Sequence, residues 1–368
     1  MKPFLLMLLA VVCMSCGAEH KSVGATYTMD LDSALQTSPG ITDVECIPLA
    51  TNDASLIADV NKVLYRNDTF YVFDNVGKKI LLFDRHGKFL KSIHKLGQGP
   101  GEYTEPCDMD LDEEGNIYLS DWATQSIIVY KNGDENDYEV IKIGEHFLDF
   151  TVAGRSIYLG LVYKEGELRQ NLAVWDMNTG KTAVIKENLL PEGNKLAYRA
   201  KHYIFRSGDK AFYYERFRPY IYQLQENKVD SCICIISKKI PKDEEVKLWA
   251  QCNPMEQVQK SFKYIADVSG CYETDDFLTL ELQTIPVSYA IRDKNSGKQY
   301  CVSSQDMAGI PVKRICGVAG QSLVSYFSPS EEDIEKVLPA LSNAEDIEAL
   351  RALSEEANPV LLLFRFQK

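Results

Sequence analysis

Two stretches of this chain repeat the same pattern of apolar and polar positions at an offset of 47 residues. Each stretch has an apolar segment, a turn, an apolar and aromatic segment ending in Asp, a loop and a further apolar segment. The matched positions are Leu64, 70–74, Ile80 and Phe83 in the first copy, and Leu111, 117–121, Ile127 and Tyr130 in the second. Such short apolar runs between turn residues predict strands. A β unit recurring about every 40–50 residues is typical of a propeller blade, which buries its faces against neighbouring blades.

The same order of strands and turns continues through the rest of the chain, by pattern and not by identity. The units cover about 56–96, 106–143, 148–181, 202–236, 264–301 and 315–366. Two short upstream strands, at 27–31 and 46–50, are candidates for completing the last blade and closing the ring. The prediction is an all-β fold, a single six-bladed β-propeller domain over residues 27–368.

Two segments interrupt the strand pattern. The charged segment 241–262 is predicted to hold a short helix before the fifth unit. Segment 329–357 is predicted to hold two helices separated by Pro339, because each half begins with a capping box. The boxes are Ser328 with Pro329 and Glu331, and Ser342 with Glu345. This helical insertion lies within the last blade and should protrude from one rim, either packing over strand ends or acting as a mobile lid.

Residues 1–16 have the features of a targeting segment. Lys2 precedes an apolar run that is too short to span a bilayer, and Ser15 precedes Cys16. The arrangement resembles the lipobox of bacterial lipoproteins, which implies cleavage before Cys16 and lipidation of that cysteine. Cys13 stands where Leu is commoner, and a secretory signal cut elsewhere is the alternative. Residues 17–26 are then a short polar tether.

Composition restricts the partners more than the fold. Hydrophobic residues at 45% and charged residues at 25% are ordinary for a soluble globular protein. A net charge of −13 argues against a nucleic-acid surface, which needs clustered Lys and Arg. Eight cysteines follow Cys16, with spacings that match no zinc motif or disulfide framework. They fit small buried hydrophobic residues, and a bridge in the second half of the chain stays open.

Asp74 and Asp121 end equivalent strands of the repeat and are weak metal candidates. A ring of such carboxylates at a channel mouth could hold Ca²⁺ through several oxygens, with Glu215, Glu273 and Glu281 as further members. The alternative is that each Asp accepts hydrogen bonds from the backbone of its own loop. The repeat favours this structural role, because a residue that recurs with the blade more often builds the blade.

Two segments are candidates for ligand binding. The loop 95–103 contains three glycines, Glu102 and Tyr103, but it lacks the Lys and following helix of a phosphate-binding loop. An inter-blade turn is the favoured interpretation. Segment 212–222 is rich in aromatic residues and Arg, which could form a stacking platform for a sugar or peptide or, alternatively, a blade core. Its candidate residues are Tyr213, Tyr214, Glu215, Arg216, Arg218 and Tyr220.

Catalytic signals are weak. The five His residues form no metal-binding pair, and no Gly-x-Ser-x-Gly motif occurs. Carboxylate pairs for glycoside hydrolysis cannot be assigned among 53 acidic residues. The sequence therefore maps no catalytic residue and implies no specific cofactor, with Ca²⁺ the one ion considered.

Several segments together resemble the six-bladed β-propeller lipoproteins of Bacteroidetes, relatives of the NHL-type propellers. They are "ECIPLA", "FYVFDN", "GQGPGEY", "IYLSD" and "NPVLLLFRF". The resemblance implies a propeller at the cell envelope, on the periplasmic or outer-membrane side, but no shared activity. We expect a non-catalytic, monomeric binding or scaffold protein for a protein or glycan ligand, held to the membrane by its lipid anchor only. The alternatives are a metal-dependent propeller hydrolase, lactonase or lyase acting on a carbohydrate-like substrate in the channel, and a subunit of a larger envelope complex.

Overall fold

A computed structural model describes residues 26–164, 167–187, 203–261, 263–265, 267–284, 286–307 and 309–368. Cys16 and the leader 1–16 lie outside these residues, as does all of the tether except residue 26.

Two N-terminal strands, β1 (Tyr27–Asp30) and β2 (Ile41–Pro48), precede the blades. The first three blades are formed by β3 (Lys62–Arg66), β4 (Thr69–Asp74), β5 (Lys79–Asp84) and β6 (Phe89–Ile93); by β7 (Pro106–Leu111), β8 (Ile117–Asp121), β9 (Ser126–Tyr130) and β10 (Tyr138–Lys142); and by β11 (Phe147–Ala153), β12 (Ser156–Lys164), β13 (Glu167–Asp176) and β14 (Lys181–Lys186).

Three further blades complete the ring. They are formed by β15 (Ile204–Ser207), β16 (Lys210–Tyr214), β17 (Tyr220–Gln225) and β18 (Lys228–Ile236); by β19 (Val268–Glu273), β20 (Phe277–Leu282), β21 (Ser288–Asp293) and β22 (Gln299–Ser303); and by β23 (Gly317–Ala319), β24 (Ser322–Phe327) and β25 (Val360–Phe366) with β2. The first strand of each blade contacts the first strands of both neighbouring blades. These six inner strands therefore surround a central channel, and the six-bladed propeller predicted from the sequence is confirmed within the described residues.

The N-terminal strands attach to two different blades. β2 pairs with β25, with Ile47 opposite Leu361, so segment 46–50 closes the ring as predicted. β1 does not: it runs parallel to β18, with Tyr27 opposite Ile233. The prediction that 27–31 also completes the last blade was wrong, because β2 already fills the outer edge of that sheet. Between the two strands, Leu35 bridges Tyr300 of blade five, so residues 27–48 follow the outer edges of three blades.

The apolar positions of the repeat have matching places in the core. Phe70 and Phe83 of blade one pack against blade six, and the equivalent Ile117 and Tyr130 of blade two pack against blade one. Ile80 faces the next blade in the ring, as does its partner Ile127. All of these side chains are buried, and each contributes about 1.5–3 kcal/mol when fully removed from water. The 47-residue repeat thus encodes the two faces of a blade.

The antiparallel order gives the ring two different faces. The turn face bears the connections between the first and second strands of each blade and, in blades one to five, those between the third and fourth strands. The connection face bears the inter-blade connections and the turns between second and third strands. All the α-helices of the described residues belong to the connection face: α1 (Asp243–Ala250) and α2 (Pro254–Ser261) after β18, and α3 (Glu331–Val337) and α4 (Ala344–Arg351) between β24 and β25.

The helical insertion occurs in the last blade as predicted, with shifted starts. Ser330 caps α3 by accepting a hydrogen bond from Asp333 N, and Asn343 caps α4 by accepting one from Glu345 N. The caps predicted at Ser328 and Ser342 were wrong, because a neighbouring polar residue takes the position in each case. Ile334 and Val337 of α3 are buried against the core of the last two blades. The insertion is therefore a packed element of the rim.

Segment 241–262 was expected to hold one short helix and forms two, α1 and α2. Val246 and Trp249 of α1 pack with Phe217 and Tyr264 in a small separate cluster. Of the cysteines after the leader, all eight are free thiols, and half are buried, as expected of small core residues. No helix among the described residues combines the length and apolar character needed to cross a membrane.

Candidate functional site

Asp74 and Asp121 bind backbone groups of the loops around them. Asp74 accepts hydrogen bonds from the N–H groups of Ala58 (2.8 Å) and Gly77 (2.6 Å). Asp121 accepts one from Glu105 N (2.7 Å) and one from the Thr124 hydroxyl (2.7 Å). Both carboxylates are completely buried. Each joins its own turn to the connection from the preceding blade, which is the structural role weighed in the sequence.

The other proposed members of a carboxylate ring are separated and already partnered. Glu215 accepts from Lys186 (2.9 Å), and Glu273 pairs with Lys210 (2.9 Å) and Lys294 (2.7 Å). Glu281 accepts hydrogen bonds from two hydroxyl groups of blade five. Across the described ranges, no three His, Cys, Asp or Glu side chains are grouped to hold a metal ion. The residues thus do not assemble into the ring considered for Ca²⁺.

The glycine-rich loop 95–103 is a shaped inter-blade turn. The Glu102 carboxylate accepts a hydrogen bond from Gly99 N (2.8 Å) and lies so close to Gly97 that a Cβ there would meet it at 1.9 Å. Tyr103 is fully buried, and its hydroxyl donates to Lys78 O (2.9 Å). Burial raises the pKa of Tyr103 to about 12. Glu102 and Tyr103 therefore shape the loop, and the tyrosine presents no surface to a ligand.

The aromatic segment 212–222 contributes mainly to the core of blade four. Tyr213 and Tyr214 are each only 3% exposed, so they offer no stacking platform to a ligand on the surface. Arg216 is buried beside Asp267, with 3.2 Å between Nε and Oδ2. Among the remaining candidates, Glu215 is also buried, Arg218 pairs with Asp243, and Tyr220 is half-buried. Side chains alternate between the two faces of the sheet along β16 and β17, and both faces pack against neighbouring blades. The sequence could not distinguish this arrangement from an exposed platform.

Polar groups connect neighbouring blades around the channel axis. Lys62 of blade one donates to Asp108 of blade two (2.9 Å), and Asp108 in turn accepts from Phe150 N of blade three (3.3 Å). Asp149 of blade three accepts from the backbone N–H groups of Tyr203 and of Ile204 (2.8 Å) next to blade four. Three of the six blade junctions therefore contain a buried carboxylate as acceptor.

The remaining junctions use hydroxyl and backbone groups. Ser207 Oγ of blade four accepts from Glu273 N of blade five (2.7 Å). The Tyr272 hydroxyl of blade five donates to Ile315 O at the start of blade six (2.7 Å). Val63 N of blade one donates to Cys316 O (3.0 Å), which completes the circle. Every junction of the ring therefore has at least one hydrogen bond near the axis.

Two ion pairs fill the channel between blades that are not neighbours. Arg206 of blade four donates from Nε (2.9 Å) and Nη2 (2.6 Å) to the two oxygens of Asp110 in blade two. Burial opposes ionisation of Asp110, but the Arg206 guanidinium outweighs it and holds the pKa of this carboxyl below its ordinary value. Arg66 of blade one pairs with Asp209 of the opposite blade four at 2.7 Å, so this contact crosses the channel. Below it remains a space of about 10 Å³, enough for one water molecule.

A cleft of about 440 Å³ opens on the turn face beside these ion pairs. Its walls are turns of blades one to four, with Leu111 and Val152 at the base and Gln223 and Gln225 on one side. We call it the turn-face cleft. The charged residues that line it are Arg66, Asp112, Glu113, Glu114, Arg155, Arg206, Asp209, Lys210 and Glu226. Its volume is within the range of ligand-binding pockets.

Several charged groups in this cleft are not used by the fold. Arg155, Glu114 and Glu226 are exposed and make no ion pair within the described ranges. Glu226 packs over Gly154, where a Cβ would meet the carboxylate at 2.5 Å, so this approach requires a glycine. Sequence reasoning missed this site, because its residues come from turns of four blades that are far apart in the chain. The one available signal was that these turns carry charges of both signs.

A second buried polar site lies toward the connection face. A space of about 10 Å³ is lined by Asp149, Asn171, Tyr213 and Tyr214, among others. Burial raises the pKa of Asp149 to about 7, against two backbone hydrogen bonds that lower it. The volume suits a single water molecule and no larger ligand. This site is therefore part of the junction between blades three and four.

Comparisons with known proteins agree with this architecture. The sequence model of a family described as a domain of unknown function, DUF4934, matches residues 24–365. The crystal structure of a protein from Bacteroides fragilis NCTC 9343, described as exported, superposes with a TM-score of 0.75 at 17% identity, covering 93% of this chain and 100% of that one. A member of the DUF4221 family from Bacteroides vulgatus ATCC 8482 superposes with a TM-score of 0.53 at 11% identity, covering 90% and 99%. No curated protein matches the chain. At these identities the two structures establish the fold.

Proposed function

The chain belongs to the DUF4934 family, and we propose that it is an envelope-anchored binding module that holds a polar protein segment in the turn-face cleft without transforming it. The observation that carries this proposal is the set of unused charges in the cleft. Arg155, Glu114 and Glu226 are positioned by the blades but make no ion pair within the described residues. Charges kept at the surface without an internal partner can be used by a ligand at no cost to the fold.

A protein segment suits this cleft better than a glycan does. Charged groups of both signs and the amides of Gln223 and Gln225 match the side chains and backbone of a peptide. No aromatic ring is among the residues described as lining the cleft, so a sugar would lack a stacking surface there. A neutral glycan would also leave several charged groups without a partner, which weakens binding.

The engagement of the carboxylates near the channel axis supports the proposal of binding without catalysis. Asp108 and Asp110 near the axis are engaged by Lys62 and Arg206, and Asp149 accepts from backbone N–H groups. No His, Cys, Ser or Thr that could form a pair of nucleophile and general base is among the described residues that line the cleft. The metal-dependent alternative would need these carboxylates to be released from their present partners.

Anchoring at the envelope is supported by the leader and its cysteine. Residues 1–16 end at Cys16 in an arrangement like that of bacterial lipoproteins, and the Bacteroides fragilis protein of the same fold is described as exported. Metabolic labelling with a fatty acid tests this step. Label should enter the wild-type chain and be absent from Cys16→Ser, and equal labelling of both would refute the anchor at this residue.

A thermal-shift screen with peptides, glycans and divalent metals tests the binding proposal. A ligand at one hundred times its Kd stabilises the native state by about 2.7 kcal/mol, which for a chain of this size raises Tm by about 4 °C. We expect charged peptides to produce such a shift. The double variant Arg155→Glu/Glu226→Lys should lose it, while Lys181→Glu on the outer edge of blade three should keep it.

The outcomes separate the candidate functions. The double variant Arg155→Glu/Glu226→Lys is the cleft variant. If glycans raise Tm and the cleft variant loses this shift, the turn-face cleft remains the binding site but its ligand is a glycan. A shift by Ca²⁺ alone that persists in the cleft variant would favour the metal-dependent alternative. Peptide shifts of equal size in wild type and the cleft variant would refute the turn-face cleft as the binding site.

A further inference from the structure

The helical pair α1–α2 and the connection before it differ in charge from the rest of the chain. Residues 236–263 contain six lysines and four acidic residues, in a chain whose net charge is −13. All six lysines are exposed: Lys238, Lys239, Lys242, Lys247, Lys260 and Lys263. The segment therefore forms a local basic surface on the connection face.

The same segment exposes large apolar side chains. Leu248 is 60% exposed, Met255 is 68% exposed, and Ile236 at its start is 48% exposed. On α1 the buried residues Val246 and Trp249 define the inner side, and helical periodicity places Leu248 opposite them. On α2 the buried Gln257 places Met255 on the outer side in the same way. Each helix therefore presents at least one apolar residue outward, on the segment that carries the six exposed lysines.

This surface lies beside the point where the N-terminal chain meets the ring. Tyr27 pairs with Ile233, and Asp30 pairs with Ile236, the residue at which the basic segment begins. The Asp32 carboxylate then accepts a hydrogen bond from Lys238 N (3.0 Å). The chain from Cys16 to Tyr27 reaches at most about 40 Å when fully extended. An anchor at Cys16 would therefore keep the helical pair within a short distance of the membrane.

We propose that the outer side of α1–α2 is a membrane-contact surface that lies on an anionic lipid bilayer. Exposed Leu and Met among lysines match the two parts of such a surface, apolar insertion and attraction to anionic headgroups. A lipid anchor at Cys16 fixes one point of the chain, so a second contact of this kind would orient the ring on the bilayer. The inference rests on the proposed anchoring at the envelope, and it is independent of what the turn-face cleft binds.

Vesicle flotation of the chain from residue 17 onward tests this surface without acyl groups. All strands of the described ring lie within 27–366, so this form contains the whole propeller. Vesicles of phosphatidylcholine with one third phosphatidylglycerol should float the protein at low salt. Pure phosphatidylcholine or high salt should release it, because surface attraction is screened. Absence of flotation on the anionic vesicles at low salt would overturn the proposal.

Matched variants locate the contact. Lys239→Glu/Lys247→Glu should weaken flotation by roughly tenfold or more, and Leu248→Ser by roughly tenfold. The controls change exposed residues on outer blade edges away from α1–α2: Lys142→Glu/Lys181→Glu for charge and Val184→Ser for apolar area. Equal losses in controls and test variants would overturn the proposal. So would Leu248-dependent self-association without vesicles, which would assign the surface to a second copy of the chain.

Discussion

Acidic side chains on the two faces of the ring have different roles. On the connection face, Asp74 and Asp121 are fully buried and accept hydrogen bonds from loop backbone groups. On the turn face, Glu114 and Glu226 are exposed at the cleft and have no ion-pair partner in the described chain. The difference follows from the connections. Asp74 and Asp121 supply acceptors for backbone N–H groups of the inter-blade connections, whereas the turns that carry Glu114 and Glu226 do not use these two side chains as acceptors within the described residues.

The comparison separates residues that assemble the ring from residues that can serve a ligand. The buried carboxylates at the axis and in the inter-blade connections belong to the first group, and the exposed Arg155, Glu114 and Glu226 of the turn-face cleft belong to the second. Arg206 marks the boundary, because it lines the cleft while its guanidinium is committed to Asp110. If this division is correct, substitutions on its two sides should differ strongly in their effect on stability.

The largest loss of stability is expected from a substitution of Arg206. Arg206→Met leaves the buried Asp110 without its cation, and loss of one partner of a buried ion pair costs about 3–5 kcal/mol. Urea unfolding should show this loss relative to wild type. The double variant Asp110→Leu/Arg206→Met removes both charges and should recover much of the stability. A loss below about 1 kcal/mol in the single variant, as for an exposed pair, would contradict the assignment of Arg206 to the structural group.

A smaller loss of stability is expected from Asp121→Ala, which removes a buried carboxylate that joins two loops. The free energy of unfolding should fall by about 2–4 kcal/mol, because charged hydrogen bonds are lost and buried N–H groups are left without an acceptor. The matched variant Glu226→Ala in the cleft should change the free energy of unfolding by less than about 0.5 kcal/mol. Calorimetry on both variants, with and without Ca²⁺, provides the measurement. A Ca²⁺-dependent Tm that disappears in Asp121→Ala would instead favour the metal role considered from the sequence.

The sequence predicted the blades well because the repeat is local. Phe70 and Ile117 occupy equivalent positions in blades one and two, so their shared role can be seen without any knowledge of the ring. Closure was predicted in part: the strand at 46–50 pairs with the last blade, but β1 joins blade four. Both segments are short apolar strands, and only the three-dimensional position of the free edges separates their partners.

The candidate site was less predictable, for a physical reason. Tyr213 and Tyr214 alternate with other aromatic residues, and this pattern is the same whether a strand faces a neighbouring blade or solvent. The turn-face cleft joins Arg66, Glu114, Arg155 and Glu226 from four blades, and no short-range pattern connects residues so far apart in the chain. The sequence therefore indicated the scaffold and the repeat-borne aspartates, whereas the convergence of turns needed the folded ring.

The pH dependence of stability tests a carboxylate on the structural side of this division. The pKa of Asp149 is raised by burial from 3.8 to about 7, so the native state holds this proton where the unfolded state has released it. Between these values the native state binds one more proton, and stability falls as pH rises, by about 1.4 kcal/mol per pH unit from this group. Urea unfolding from pH 5 to pH 7 should show this slope in wild type and lose it in Asp149→Asn. Parallel profiles for the two proteins would refute the raised pKa.

The smallest effect is expected on the rim of the connection face, where structure and sequence disagree by two residues. Ser330 accepts a hydrogen bond from Asp333 N at the start of α3, whereas the sequence favoured Ser328. Ser330→Ala should cost about 1 kcal/mol, the usual contribution of a serine N-cap. Ser328→Ala should change the free energy of unfolding by less than about 0.5 kcal/mol, because its hydroxyl contacts only an exposed Lys313. Equilibrium urea unfolding resolves the two variants, and the reverse order would move the start of α3 to Ser328 and detach Ile334 from its place in the core.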